Sequence, residues 1–113
     1  MDEYLNAITK LSDLLISCKD HFWSPRVDAF KREYKQLQDT SADPRKYSDY
    51  FQRVEEAISG GMGSLSDLTF SLAGGHYGDE KSLRAANQEK EALLDELYEI
   101  SKARLENLNR HSI

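Results

Sequence analysis

Apolar residues recur every three or four positions along most of the chain, the period of a helix with one buried face. Leu5, Ile8, Leu11, Leu15, Cys18 and Phe22 form the first such stripe and predict a helix over residues 3–21. Asp2 is placed to cap it, and Asp2 and Glu3 suit the positive end of its dipole. Ser24-Pro25 predicts the start of a second helix over residues 25–38, because proline at the first helical position gives up no needed N–H. Val27, Phe30, Tyr34 and Leu37 are its stripe. Residues 39–43, Asp-Thr-Ser-Ala-Asp, read as a polar turn, and Asp43-Pro44 repeats the cap-then-proline signal. A third helix over 44–59 would turn Tyr47, Tyr50 or Phe51, Val54 and Ile58 inward and stop at Gly60. Asp79 can cap a last and longest helix over 80–109, with Leu83, Ala86, Leu93, Leu97, Ile100 and Leu108 as its apolar side and Leu94 and Leu105 widening it. Lys90 and Arg104 interrupt that side, so this helix is expected to be half buried. Glu80 with Arg84, and Glu106 with Arg110, are favourable i,i+4 pairs. Four helices with short turns between the first three predict an all-α, four-helix bundle-like single domain, 1–113.

Composition supports this picture. Val, Ile and Thr together supply only ten residues, whereas helix formers are abundant. Eleven aromatic residues and fourteen leucines provide core anchors, which weighs against disorder. The charged fraction of 31% fits long helices with solvated faces. A net charge of −5 argues against a nucleic-acid binder and against a basic membrane-surface element. No apolar run approaches the ~18 residues that a membrane-spanning helix needs. Cys18 is the only cysteine, which excludes an internal disulfide and suits a reducing compartment. The opening Met-Asp-Glu-Tyr lacks the pattern of a signal peptide, so a cytoplasmic protein is expected.

All six glycines lie between Gly60 and Gly78, just before the long helix. Ser64-Leu-Ser-Asp67 has the form of a capping box, with Leu65, Leu68 and Leu72 as one face of a short helix ending at Gly74. Leu68, Phe70 and Leu72 also alternate with Thr69 and Ser71, as in a strand. A phosphate loop is imaginable at Gly60, Gly61 and Gly63, but no lysine lies between Arg53 and Lys81 to complete one. A sharp structural turn and a protein-binding surface are the remaining readings.

The stretch Gly60-Gly61-Met62-Gly63-Ser64-Leu65-Ser66-Asp67-Leu68 resembles the signature of an uncharacterised family of small bacterial proteins. Its members carry a Gly-Gly-Met-Gly-Ser-Leu-Asn-Asp-Leu-like motif after a helical region that contains a tryptophan, here Trp23. Ser66 departs from the usual Asn. The resemblance covers roughly residues 5–76 and implies a bacterial origin, but it brings no catalytic residues. Small acidic bacterial proteins include immunity proteins of toxin systems.

Candidate chemistry elsewhere is sparse. Cys18 and His21 are spaced to be neighbours on a helix, although a buried cysteine beside a surface histidine is the simpler reading. His76 lacks the partners of a metal motif and suits a hydrogen bond to nearby backbone. Glu55, Glu56, Glu89, Glu91, Asp95, Glu96 and Glu99 form acidic clusters, by default on solvated helix faces and otherwise matched to a basic partner. No nucleophile–base–orienter set can be assembled, so an enzyme is not expected, nor is a cofactor or metal. The leading expectation is a protein-binding module, with an immunity protein that occludes a basic toxin as one form of it. Its partner-binding residues would be Gly60, Gly61, Met62, Gly63, Ser64, Asp67, His76 and Tyr77. The alternatives are a small-ligand or anion-binding protein that uses the glycine loop and His76, and a structural homo-oligomer.

Overall fold

The computed structural model describes residues 2–40 and 43–111, with side chains through Leu108. Its helices are α1 (Glu3–Ser17), α2 (Trp23–Asp39), α3 (Pro44–Ser59) and α4 (Glu80–His111), with one 3-10 turn at Leu65–Asp67. Each α-helix starts where an aspartate takes the free N–H groups of its first turn. Asp2 accepts from Tyr4 N–H and Leu5 N–H at 2.9 and 3.3 Å. Asp43 accepts from Arg45 N–H at 2.9 Å. Asp79 accepts from Ser82 N–H at 2.7 Å while Asp79 N–H donates to Ser82 Oγ at 3.0 Å, a reciprocal capping box. The aspartate of α2 is Asp20, whose carboxylate accepts Trp23 N–H at 2.8 Å.

The boundary between α1 and α2 departs from the expected one. The first helix stops at Ser17, four residues early, and the second starts at Trp23 rather than Pro25. Lys19 N–H donates to Ile16 O at 3.0 Å and Asp20 N–H to Leu15 O at 2.9 Å, the bond pair of a Schellman stop. That motif needs a left-handed residue, and here it is Lys19 at φ 56°, where glycine would ordinarily mark the site. Lys19→Gly is therefore expected to stabilise the fold by about 0.5–1 kcal/mol, net of the entropy that glycine adds to the unfolded chain. Urea unfolding reads this directly; a lower midpoint would mean that the Lys19 ammonium over the Tyr77 ring, 4.6 Å from its centroid, outweighs the backbone cost. The early stop also moves Phe22 out of the core to 56% exposure, contrary to its place in the predicted stripe.

Helix α4 packs between α1 and α3, α1 also packs on α2, and α2 meets α3 more loosely than these neighbours meet one another. Neighbours run antiparallel. Asp2, at the start of α1, reaches Arg104 late in α4, and Tyr77 N–H, just before α4, donates to Cys18 O at the end of α1. The long axis of 50 Å follows from α4, whose 32 residues span ~48 Å at 1.5 Å per residue. The architecture is thus an all-α four-helix bundle with an irregular segment before its long last helix.

Tyr4, Tyr34, Tyr50 and Phe51 fill one half of the core, with Tyr4 only 4.6 Å from Tyr34 and 5.3 Å from Phe51, centroid to centroid. Their polar ends are satisfied internally. Tyr50 OH donates to Phe30 O at 2.8 Å, which leaves Tyr4 OH as the donor to Tyr50 OH at 2.9 Å. Both Tyr50 and Phe51 turn inward, where either one was expected, and Tyr4 lies outside the predicted stripe. Helix α4 is also more deeply seated than expected: Lys90, read as an interruption, is 2% exposed. The Glu80–Arg84 pair forms at 3.4 Å, while the Glu106–Arg110 pair and residues 41 and 42 of the polar turn lie outside what is described. No helix among the described residues is long and apolar enough to cross a membrane.

Candidate functional site

The glycine-rich segment closes the end of the bundle where α1 and α3 finish and α2 and α4 begin. It leaves α3 at Gly60, where a Cβ would stand 2.3 Å from Glu56 O; only glycine lets the chain turn there. It enters α4 through Gly78, at φ 138° and with space for a Cβ taken by Ser82 Oγ at 2.6 Å. Between them lies neither the expected helix ending at Gly74 nor a strand. A single 3-10 turn forms at Leu65–Asp67, and residues 68–78 are irregular. The predicted capping box does not form: the Asp67 carboxylate takes Gly63 N–H at 2.9 Å rather than that of Ser64, and the Ser64 side chain caps nothing.

Side chains from distant parts of the chain replace the missing regular hydrogen bonds. Lys90 Nζ, from inside α4, donates to Leu65 O at 3.2 Å and to Leu68 O. One turn earlier, Asn87 makes two bonds to the Phe70 backbone, accepting its N–H at 2.7 Å and donating to its carbonyl at 3.0 Å. These two residues lie three apart on α4, so they share a face and hold successive pieces of one strap. Ser66 Oγ, in place of the asparagine of the resembled motif, donates to Ile58 O.

His76 completes the strap. Its Nδ1 accepts Ser71 N–H at 3.0 Å, so the ring proton sits on Nε2, which donates to Asp20 Oδ1 at 2.9 Å. Both side chains are only 8% exposed. An Asp–His pair can serve as an orienter and a base, but this imidazole has no nitrogen left for a substrate. Asp20 is equally committed, since its other oxygen caps α2. The pair is a clasp that ties residues 71–77 to the α1–α2 turn, seconded by Tyr77 N–H to Cys18 O at 2.9 Å.

Other chemical readings fare no better. Cys18 is buried, and burial, with Glu89 and Asp20 adding negative charge nearby, pushes its thiol up and away from the reactive thiolate, while His21 is exposed. In the glycine loop, Gly60, Gly63 and Ser64 N–H groups are taken by Glu56 O, the Asp67 carboxylate and Gly61 O, so a fixed negative group already occupies the place an anion would need. Among the described residues no group of three His, Cys, Asp or Glu side chains could hold a metal ion.

The outer surface of this end carries exposed apolar side chains among polar ones. Five large apolar side chains are strongly exposed among the described residues: Ile16 at 57%, Phe22 at 56%, Met62 at 100%, Leu72 at 61% and Tyr77 at 65%. Three belong to the strap, Phe22 to the α1–α2 turn that it clasps, and Ile16 to the last turn of α1. Arg26 stacks on Phe22 at 3.8 Å and Lys19 on Tyr77, which holds two of these rings in place. Of the residues expected to bind a partner, Gly60, Gly61, Met62, Gly63, Asp67 and Tyr77 face outward; Ser64 is buried and the His76 side chain turns inward. Ile16, Phe22 and Leu72 were not among the residues expected here; Phe22 was placed in the buried stripe of a first helix that was expected to run to residue 21. Of the tyrosines, Tyr4, Tyr34 and Tyr50 serve the core and Tyr77 alone is exposed. No family model matches the chain, and neither does any curated protein or solved structure.

Proposed function

We propose that the chain is a protein-binding module whose recognition surface is the strapped end of the bundle. The observation that carries this reading is that, among the described residues, the five strongly exposed large apolar side chains lie in the strap, the α1–α2 turn and the adjoining last turn of α1. Scattered exposed apolar residues need no explanation, but a set gathered on one surface marks a contact site. The clasps from Asp20, Asn87 and Lys90 hold the strap in one conformation, so binding there avoids much of the ordering entropy that a flexible loop would lose. Large side chains such as Met62 and Tyr77 are the anchor types that dominate interfaces.

The partner is proposed to be basic. Glu89, Glu91, Asp95, Glu96 and Glu99 are all exposed on α4, and among the described residues none lies in a salt bridge. Unpaired acidic groups steer a basic partner toward the surface before the apolar anchors engage. An immunity protein that blocks a basic bacterial toxin is one role that such a surface would fill.

The test is a comparison of tagged wild type with the double variant Met62→Glu, Tyr77→Glu in capture from the native host, followed by titration of the purified partner. Both positions are exposed, so helicity and melting temperature should stay within error of wild type. The expected result is one stoichiometric basic partner whose affinity falls at least tenfold in the double variant. Absence of a partner, or a partner bound equally by both proteins, overturns the reading.

A further inference from the structure

Among the packed helix neighbours, α2 and α3 meet over the shortest stretch, which leaves a seam between them. Trp23, Phe30 and Leu37 lie seven residues apart along α2, and each is only half buried. They line two grooves of about 340 and 380 Å³ that join where Arg53 crosses from α3 to Glu33 at 2.8 Å. The small Ala29 and Ala57 widen the first groove. A stripe with this heptad repeat on a surface helix ordinarily marks the side that meets another helix. In this chain α3 meets the stripe from one side, with the Phe30 and Tyr50 rings 6.0 Å apart, and the two grooves leave its outer edge half exposed.

The rim carries the opposite charge to the chain as a whole. Arg26, Arg45, Lys46 and Arg53 line the two grooves against only Glu33 and Asp49. Arg53 neutralises both of those carboxylates, at 2.8 and 3.1 Å. Arg26, Arg45 and Lys46 have no carboxylate partner among the described residues. The seam is therefore apolar on either side of the Arg53–Glu33 pair and positive at its edges, on a protein with a net charge of −5.

We propose that the α2–α3 seam is a second docking site, and that its occupant is an acidic amphipathic helix from another protein. The span from Trp23 to Leu37 is ~21 Å at 1.5 Å per residue, which matches an occupant helix of about 14 residues. Its apolar side chains at every third and fourth position would enter between Trp23, Phe30 and Leu37, and its flanking carboxylates would meet Arg26, Arg45 and Lys46. An extended peptide is disfavoured because the seam offers helix backbones already bonded within themselves, with no strand edge to extend. A second copy does not fit: the acidic helix of this chain, α4, has its apolar face buried in its own core. The seam adjoins the strapped end at Phe22, whose ring lies against Trp23 and Arg26, but the strapped end is proposed to take a partner of the opposite charge.

Trp23 is the only tryptophan and lines the seam, so its emission reports occupancy. The probe is a synthetic 16-residue helical peptide with leucines on one face and glutamates flanking them. It is compared with a lysine-for-glutamate counterpart and with a serine-for-leucine counterpart that keeps the acidic charge. The expected result is a saturable, salt-sensitive blue shift of Trp23 with the acidic amphipathic peptide alone. The double variant Arg45→Glu, Lys46→Glu should weaken it at least tenfold. Ala29→Gln, on an exposed groove wall, should also weaken it, as a check that does not alter charge. Met62→Glu, Tyr77→Glu should bind the peptide unchanged, which separates this site from the strapped end. No Trp23 response, equal binding of the lysine or serine peptide, undiminished binding by the charge-reversed variant, or a mass that rises with protein concentration because a second copy fills the seam, each overturns the proposal.

Discussion

Lys90→Met is expected to destabilise the protein by about 3 kcal/mol, although it removes a buried charge. Two effects oppose each other. Burying an ammonium is costly, and burial pulls the Lys90 amine below its ordinary value. Methionine has similar length and relieves that cost. Yet the partners of Lys90 are the backbone carbonyls of Leu65 and Leu68, and they stay behind when the side chain changes. Each carbonyl left without a donor costs roughly 1–3 kcal/mol, and the charged donor made stronger bonds than a neutral one would. The loss of bonds therefore outweighs the relief. For a chain of 113 residues the melting temperature should fall by roughly 10 °C. Hydrogen exchange should locate the damage, with amides of residues 65–72 losing protection before the helices do. A variant as stable as wild type, with an unchanged strap, would show that water or neighbouring groups satisfy those carbonyls.

The same residue has a pH signature. Because the folded protein holds Lys90 below its unfolded value near 10.5, the folded state binds fewer protons between the two values. Its desolvation cost is fully present at neutral pH and is relieved as pH rises through the folded value. Tyrosines end that gain. Burial pushes Tyr34 up to about 12, helped by its bond to Asp2 and opposed by Arg104, and burial also raises Tyr4 and Tyr50. Above pH ~10 the unfolded chain sheds tyrosine protons that the folded one retains, so stability falls steeply. The Lys90→Met protein should show the fall without the preceding rise.

Asp2→Ala should also cost about 3 kcal/mol, because one carboxylate ties three helices together. It caps α1 through Tyr4 and Leu5 N–H, accepts Tyr34 OH and, at 2.7 Å, Gln38 Nε2 from α2, and meets Arg104 Nη2 from α4 at 3.1 Å. Loss of the cap accounts for ~1 kcal/mol. The rest comes from Arg104, held 5.7 Å from the Tyr4 and Tyr34 ring centroids and 34% exposed, which would lose its counter-charge. Burial alone would raise the Asp2 carboxyl, but bonds from Tyr34, Leu5 and Arg104, with the Arg104 charge, hold it at about 2. Its contribution is complete above its ordinary value of 3.8 and is lost as pH falls toward 2. Urea midpoints of wild type should therefore drop between pH 4 and 2 by an amount worth about 2 kcal/mol, and Asp2→Asn should flatten that drop. Parallel pH profiles for the two proteins would show that the Asp2 network contributes nothing.

Features whose cause lies within one helical turn were legible in the sequence. Asp2, Asp43 and Asp79 announced three helix starts, and α3 spans the residues expected of it. A cap and its N–H groups are neighbours in the chain, and an apolar stripe repeats every few residues, so short-range pattern suffices. The glycines likewise located the strap, because a helix cannot continue through them. The first boundary was illegible for a physical reason: Lys19 takes the left-handed position without the glycine that would signal it.

The strap's fastenings depended on tertiary structure alone. Lys90 in an apolar stripe reads as a residue turned toward water, because nothing within a turn of it could satisfy an ammonium. Its partners are carbonyls 22 and 25 residues away. His76 meets Asp20 across 56 residues and turns inward to hold the strap instead of outward to greet a partner, and Ser64 is buried. Four helices and the place of the irregular segment followed from local pattern. Only the packed bundle decided which polar side chains that segment uses up, since a buried charge or imidazole takes its meaning from whatever the fold brings within 3 Å of it.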